Sequence, residues 1–251
     1  MIPQPFVKGS SERVFFGQFE YPAGADLIFD FGNPLCTSAF NSGRIVYNAA
    51  TQNVTGSLIP FNNPGPIYPT LSTNNGGVMI TQDFGFSLQS YLQWDWKSTE
   101  QQSSVIVYAP NGNQSSGANQ FFPKTAGASS IELQIIYPNN RLFVNIANSS
   151  NSVSADVFGV KTFNTGSLNG QNGWNTFIVS ADSSSFHALY TNTNSSSFDA
   201  NPITRTTSAT QTTNFSFPAN ARIMAFMQYP KLLSGKEIRQ INKVFAPRFF
   251  T

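Results

Sequence analysis

Hydrophobic and polar residues alternate along the middle of the chain. In the stretch 131–137 every second residue from Ile131 is apolar or aromatic, and Glu132 and Gln134 occupy positions between them. This period of two is the pattern of a β-strand that buries one face. A second strand pattern at 141–147 follows the turn-forming sequence Pro-Asn-Asn at 138–140. The two stretches are therefore predicted to form an antiparallel hairpin.

Similar strand patterns occur along most of the chain. Runs rich in β-branched and aromatic residues are separated by clusters of Gly, Asn, Ser and Pro. The predicted strands are 15–19, 26–31, 78–81, 86–94, 104–109, 131–137, 141–147, 153–160, 174–181, 186–191 and 222–229. No repeat of fixed period is visible, which argues against propellers and solenoids. The pattern predicts an all-β fold, a two-sheet antiparallel sandwich.

One helix is predicted, close to the end of the chain. Ser234 and Glu237 have the spacing of a capping box, in which each side chain bonds the other residue's backbone N–H. Apolar residues then repeat at helical spacing from Ile238 to Phe245, and Pro247 is expected to stop the helix. The chain is therefore expected to close with one short C-terminal helix.

The chain divides into an expected N-terminal arm, residues 1–25, and a sandwich domain, residues 26–251. Proline and glycine interrupt the first segment, and an arm of this kind often reaches a neighbouring subunit. Two further stretches, 51–75 and 192–213, are predicted to be long loops because they are rich in Pro or in Asn, Ser and Thr.

Charge is scarce in this sequence. Only 10% of the 251 residues are charged, against about 25% in typical soluble proteins. The net charge of +2 is too small for a nucleic-acid binder. Five cations do cluster near the C-terminus, and a solvated helix face is the favoured interpretation over a polyanion site: Lys231, Lys236, Arg239, Lys243 and Arg248.

No segment indicates export or membrane insertion. The first residues lack a basic stretch followed by an apolar run, and no stretch approaches the ~20 apolar residues of a membrane span. We therefore expect no membrane partner and synthesis in a cytoplasm.

The inventory of reactive side chains argues against catalysis. The chain has one histidine, His187, and one cysteine, Cys36. A Ser-His-Asp triad would need His187, whose neighbours indicate packing within a strand. No two glutamates share a strand as paired glycosidase carboxylates would. Neither a phosphate loop nor a metal-ligand spacing is present. We expect no enzyme activity, no cofactor and no metal.

One aromatic and acidic cluster suggests a carbohydrate platform. Trp94, Asp95 and Trp96 are consecutive, and Trp174 precedes another strand pattern. Tryptophan rings stack on sugar rings, and a carboxylate accepts hydrogen bonds from hydroxyls. These four residues are the candidate carbohydrate-binding residues. Core tryptophans flanking a surface aspartate are the favoured alternative for Trp94 to Trp96.

Several short motifs resemble laminin-G-like, concanavalin A-like jelly-roll domains of the kind found in bacteriophage structural proteins. They are Leu-Ile-Phe-Asp-Phe-Gly-Asn-Pro at 27–34, Val-Tyr-Asn at 46–48, Gly-Ser-Leu at 56–58, the segment 173–192, and the closing strand and helix at 222–238. Asn48 stands where the pattern usually has Asp, so the resemblance implies no charge or metal role there. It does imply a jelly-roll sandwich.

The resemblance and the low charge favour a virion structural protein, such as a capsid decoration, head-fibre or tail-associated subunit. Such a protein would act through contacts with other virion subunits and copies of itself, and would reside in the virion after assembly in a host cytoplasm. Binding of host cell-surface glycans is compatible with that role. The alternative is a carbohydrate-binding lectin module with no place in a virion.

Overall fold

A computed structural model of the 251-residue chain describes most of its strands and its C-terminal helix. The described residues are 13–16, 19–51, 55–62, 65–71, 78–79, 91–96, 99–110, 117–120, 130–137, 141–147, 152–156, 175–182, 187–191, 195–197, 211–216 and 221–250.

These residues form twenty strands and three helices. The strands are β1 (Arg13–Phe16), β2 (Phe19–Pro22), β3 (Leu27–Asp30), β4 (Ile45–Tyr47), β5 (Thr55–Ile59), β6 (Phe61–Asn62), β7 (Pro66–Ile67), β8 (Thr70–Leu71), β9 (Val78–Met79), β10 (Tyr91–Trp96), β11 (Gln102–Pro110), β12 (Gly117–Gln120), β13 (Ser130–Tyr137), β14 (Arg141–Ala147), β15 (Ser152–Asp156), β16 (Asn175–Ala181), β17 (His187–Thr191), β18 (Ser195–Ser197), β19 (Gln211–Ser216) and β20 (Ala221–Tyr229). The helices are α1 (Pro34–Thr37), α2 (Phe40–Gly43) and α3 (Gly235–Phe245), and a 3₁₀ turn (Ala246–Phe250) follows α3.

The core lies between two antiparallel sheets. The larger sheet has the order β18-β17-β16-β11-β20-β9-β8, with β3 also paired to β20, and the smaller has the order β19-β10-β5-β4. Trp94 of the smaller sheet packs against Phe29 and Phe226 of the larger, with ring centroids 5.5 and 5.4 Å apart. The predicted two-sheet antiparallel sandwich is confirmed. A further four-stranded sheet, β12-β13-β14-β15, and the hairpins β1-β2 and β6-β7 complete the described strands.

The hairpin predicted from alternation is present. Strands β13 and β14 pair antiparallel, with Ile131 opposite Ile146 and Leu133 opposite Val144. The predicted strand segments 86–90 and 157–160 lie outside the described residues.

Both stretches predicted as long loops contain strands, so those predictions are wrong in part. Residues 51–75 include β5 to β8, and residues 192–213 include β18 and the start of β19. These strands carry few apolar residues of their own. Tertiary pairing with stronger strands therefore stabilises them, as when β5 pairs with β10.

The C-terminal helix begins as predicted. Ser234 Oγ accepts a hydrogen bond from the Glu237 backbone N–H, and the Glu237 carboxylate accepts one from the Ser234 N–H at 2.8 Å. Ile238, Ile241 and Phe245 are buried. Two one-turn helices, α1 and α2, were not predicted. The first is capped by Asn33, whose side chain accepts a hydrogen bond from Leu35 N–H at 3.0 Å.

Part of the segment expected to form an arm packs on the domain. Strand β2 lies against α3, and Tyr21 is fully buried in the core. Residues 19–22 are therefore integral to the sandwich. The arm stays a prediction for residues 1–12, which lie outside the described residues.

The segment leading into α3 is anchored to the larger sheet by Ser103. Its hydroxyl donates to the Lys231 carbonyl at 2.9 Å and accepts from the Leu233 N–H at 3.1 Å. Ser180 Oγ, on the neighbouring strand, lies 2.7 Å from Ser103 Oγ. Because all three serine contacts are buried or partly buried, water competes little for them.

A buried ion pair anchors the other end of α3. Arg248 donates two hydrogen bonds to the Asp30 carboxylate, from Nη1 and Nη2, each at 2.7 Å. Asp30 is fully buried. The Tyr21 hydroxyl and the Gly32 N–H donate to the same carboxylate at 2.8 and 2.9 Å. Burial alone would lower the pKa of Arg248, but the negative charge of Asp30 raises it instead.

Replacing Arg248 with Met is expected to destabilise the fold by about 3–5 kcal/mol, because the Asp30 carboxylate would stay buried without its cation. Chemical denaturation followed by circular dichroism measures the change. Arg239→Met, at an exposed position of the preceding helix α3, is the matched control and should change stability by less than about 0.5 kcal/mol. Equal stability of the two variants would show that the pair does not anchor the turn.

Gly56 leaves room for Leu92 of the neighbouring strand β10 and for Phe29 of the opposite sheet. A Cβ built at this position would lie 2.7 Å from Leu92 Cδ1, 2.9 Å from Leu92 Cγ and 3.1 Å from Phe29 Cζ. Leu92 and Phe29 are themselves fully buried, so neither has space into which it can move. A side chain at residue 56 would therefore overpack the core.

Gly56→Ala is expected to cost about 1–3 kcal/mol of unfolding free energy, from overpacking against Leu92. Gly65→Ala is the matched control because a Cβ there meets nothing within 4 Å. Thermal unfolding of both variants makes the comparison. A melting temperature for Gly56→Ala equal to that of Gly65→Ala would contradict the close approach.

Candidate functional site

Trp94 is a core residue. Its side chain is 2% exposed and is enclosed by Phe29 and Phe226 of the opposite sheet. A sugar stacks on an aromatic ring only where the face of that ring meets solvent. The role in carbohydrate stacking expected for Trp94 therefore does not fit its position, and the alternative interpretation as core is the one that the structure supports.

Asp95 has the opposite environment. It is the next residue on β10, and it is exposed, because successive side chains of a strand point to opposite faces. Trp96 ends the same strand, opposite Gln211 of β19, and its side chain lies outside the described part of the structure. Trp174 lies wholly outside the described residues. Of the four candidates, Asp95 is the one that the structure places at the surface.

The solvent-facing side of the smaller sheet carries a row of polar and aromatic residues. Tyr47 pairs with Thr55, and Gln93 pairs with Ser57. Gln93 and Asp95 share one face of β10, and Ser57 and Thr55 share one face of β5. Asp95, Thr55 and Tyr47 therefore lie on the same face of three adjacent strands. We call these three residues the sheet-face row.

Each member of the sheet-face row is exposed. Tyr47 is 38% exposed. Among the side chains that the structure describes, it is the one large hydrophobic residue that is exposed. An exposed tyrosine offers a ring face together with a hydroxyl. Val46 and Asn48, on either side of Tyr47 in the sequence, are both buried. Alternation along the strand therefore turns Tyr47 toward solvent.

Asn48 has a structural role. Its side-chain oxygen accepts hydrogen bonds from the Ile28 and Ala50 N–H groups at 2.8 and 2.9 Å. Its amide nitrogen donates to the Asp26 carbonyl at 2.9 Å and to Thr51 Oγ1 at 3.1 Å. An aspartate could not make the two donor contacts. The structure therefore requires an amide at residue 48, and both of its polar atoms bond to the protein.

The sequence offers Cys36 and His187 as its one cysteine and one histidine. Cys36 is fully buried. Its burial raises the pKa of its thiol, and the negative charge of Asp30 adds a smaller increase. Both effects disfavour the nucleophilic thiolate. His187 begins β17, and its side chain is not described. The described residues contain no group of three His, Cys, Asp or Glu that could hold a metal ion. Nor is any described helix both long enough and apolar enough to span a membrane.

A groove of about 480 Å³ lies between β2 and the outer face of α3. Phe19 and Glu20 of β2 form one wall, and the helix forms the other. Because Ile238, Ile241 and Phe245 face the core, residues on the opposite side of the helix line the groove. They are Lys236, Arg239, Gln240, Lys243 and Val244.

Two other charged residues of this region are paired away from the groove. Lys231 binds Glu237, and Arg248 binds Asp30. Partial burial would raise the pKa of Glu237, but hydrogen bonds from Lys231 and Ser234 outweigh it and lower that pKa. The cluster of five cations seen in the sequence thus divides in space: Lys231 and Arg248 form ion pairs with named partners, and Lys236, Arg239 and Lys243 line the groove.

No family model matches the sequence, and no curated protein matches it either. Solved structures do match. One is the binding domain of botulinum neurotoxin serotype D, with 13% identity over 88% of this chain and 51% of that chain, and a TM-score of 0.57. Another is the binding domain of botulinum neurotoxin DC in complex with SialylT, with 11% identity over 90% of this chain and 52% of that chain, and a TM-score of 0.60.

A third structure comes from work on botulinum neurotoxin type C, whose cell entry depends on interaction with two ganglioside molecules. It has 14% identity over 90% of this chain and 51% of that chain, and a TM-score of 0.58. The present chain spans about half the length of each of these chains. At this identity the likeness establishes a shared β-sandwich fold. These neighbours supply no link to a bacteriophage structural protein.

Proposed function

We propose that this domain is a non-catalytic carbohydrate-binding module. The observation that carries the proposal is the sheet-face row, which places an exposed tyrosine and an exposed carboxylate on one solvent-facing row of the smaller sheet. The fold it shares with neurotoxin binding domains, one of them in complex with SialylT, supports a role in binding rather than in catalysis.

The chemistry of the row matches an oligosaccharide. The Tyr47 ring stacks on the apolar face of one sugar, and the Asp95 carboxylate accepts hydrogen bonds from hydroxyls of the next. Thr55 lies between them and both donates and accepts. Strand pairing fixes the spacing of all three residues before the ligand arrives, so little conformational entropy is lost on binding.

The test is a panel of immobilised neutral oligosaccharides, followed by calorimetric titration of the strongest binder. Tyr47→Ala is expected to weaken binding roughly two- to twelvefold, since a stacked aromatic contact contributes about 0.5–1.5 kcal/mol. Tyr47→Phe keeps the ring and should retain most of the affinity. Asp95→Ala should weaken binding, whereas Glu100→Ala, which removes an exposed carboxylate outside the row, should not.

Either of two outcomes would contradict the proposal: no oligosaccharide in the panel binds, or Tyr47→Ala binds as tightly as the unmodified chain. Circular dichroism of each variant checks that the fold is intact.

We also propose a second role, that of a virion structural protein that assembles with copies of itself and with other virion subunits. The laminin-G-like motifs and the charged fraction of 10% support it. In that role residues 1–12 would act as an arm that reaches a neighbouring subunit, and the sheet-face row would face the host.

Light scattering of the full chain and of the chain lacking residues 1–12 tests the second role. We expect a trimer or larger assembly that dissociates without those residues, because arm exchange would hold it together. A monomer of unchanged mass in both samples would argue against assembly through the arm and leave the glycan-binding proposal unaffected.

A further inference from the structure

We propose that the groove between β2 and α3 is a second ligand site, specific for an acidic saccharide that carries a carboxylate or sulfate group. This site is separate from the sheet-face row and needs no residue of it. Its volume of about 480 Å³ lies in the range of small-molecule pockets, about 300–1,000 Å³. A groove of that size suits one or two sugar rings.

The helix wall supplies the positive charge. Lys236, Arg239 and Lys243 are exposed and line the groove. At 1.5 Å rise per residue they are spaced about 4.5 and 6 Å along the helix axis. Three cations so close together concentrate positive potential in a chain with only 26 charged residues, 14 basic and 12 acidic. An anionic group within the groove would accept charge-assisted hydrogen bonds from them.

The opposite wall explains why the anion is part of a saccharide. Glu20 lines the groove and accepts a hydrogen bond from the Gln240 amide at 3.4 Å. A carboxylate here repels an acidic peptide, because negative charges recur along the entire length of such a peptide. Sugar hydroxyls, in contrast, donate to a carboxylate. A ligand with one anionic group and several hydroxyls satisfies both walls.

The groove is held in shape by the core. Phe19, at its edge, lies 5.0 Å from the Arg248 guanidinium, which is fixed by the buried Asp30. The helix wall is fixed by Ile238, Ile241 and Phe245 on its buried face. Both walls are therefore positioned by residues that do not touch the ligand, and the site is preformed.

Calorimetric titration of the full chain with sialyllactose, a sulfated heparin-derived tetrasaccharide and lactose tests the proposal. We expect one or both acidic saccharides to bind and lactose not to bind at the groove. Added salt should weaken binding, because exposed charges are screened. The triple variant Lys236→Gln/Arg239→Gln/Lys243→Gln should lose affinity by roughly tenfold or more. Arg44→Gln, a control that removes one cation outside the groove, where the arginine lies over Tyr68, should leave binding unchanged.

Further variants separate this site from its alternatives. Tyr47→Ala should leave acidic-saccharide binding intact. This variant therefore distinguishes a failure of the proposed groove site from a failure of the proposed sheet-face site. Glu20→Gln removes the carboxylate that faces the cations across the groove. The same change should strengthen any binding of an oligoglutamate peptide.

The proposal is overturned if neither acidic saccharide binds or if the triple variant binds them as tightly as the unmodified chain. It is also overturned if an oligoglutamate peptide or phosphatidylserine vesicles bind the groove more tightly than either saccharide.

Discussion

The ion pair between Asp30 and Arg248 joins three parts of this molecule that are far apart in sequence. Asp30 lies at the end of β3, inside the larger sheet, and Arg248 lies in the 3₁₀ turn after α3. Tyr21 of β2 donates to the same carboxylate. One buried charge therefore joins the sheet, the C-terminal turn and the N-terminal hairpin. A buried carboxylate is tolerated only when paired and hydrogen-bonded, so these three elements must come together for any of them to be stable.

The position of α3 follows from this constraint. Ser103 holds the segment before the helix, and Arg248 holds the turn after it. Between these anchors the apolar face of the helix is buried and the basic face is left in solvent. The groove exists because β2 is drawn to the same place by Tyr21. Its shape is thus a consequence of core packing, while its charge is a consequence of surface residues that core packing leaves free to vary.

The two proposed sites stand out because charged residues are scarce in this chain. Only 10% of the residues are charged, so an exposed carboxylate, or three cations on one helix face, sets the electrostatic character of the surface around it. The sheet-face row combines such a carboxylate with an exposed ring, which suits neutral sugars. The groove combines cations with one carboxylate, which suits acidic ones. The neurotoxin binding domains share the sandwich fold at 11–14% identity, and fold alone does not transmit a site.

Local sequence determined those features whose interactions lie within a few residues. The alternation at 131–137 and the turn at 138–140 predicted the β13-β14 hairpin. Ser234 and Glu237 predicted the start of α3, because a capping box is made of neighbouring residues. Asn48, by contrast, bonds backbone groups of residues 26 and 28, and nothing in its local sequence predicts that use.

The tertiary structure decided which side chains are available for function. Trp94 and Asp95 are adjacent in sequence, yet one is core and the other surface, because only the packing of β10 against Phe29 and Phe226 sets which face of the strand is buried. Strand β4 pairs with β5, and β5 pairs with β10, so these short strands depend on partners distant in sequence. Asp30 and Arg248 are 218 residues apart. Contacts at such separation depend on the whole chain being folded, so a local pattern carries no information about them.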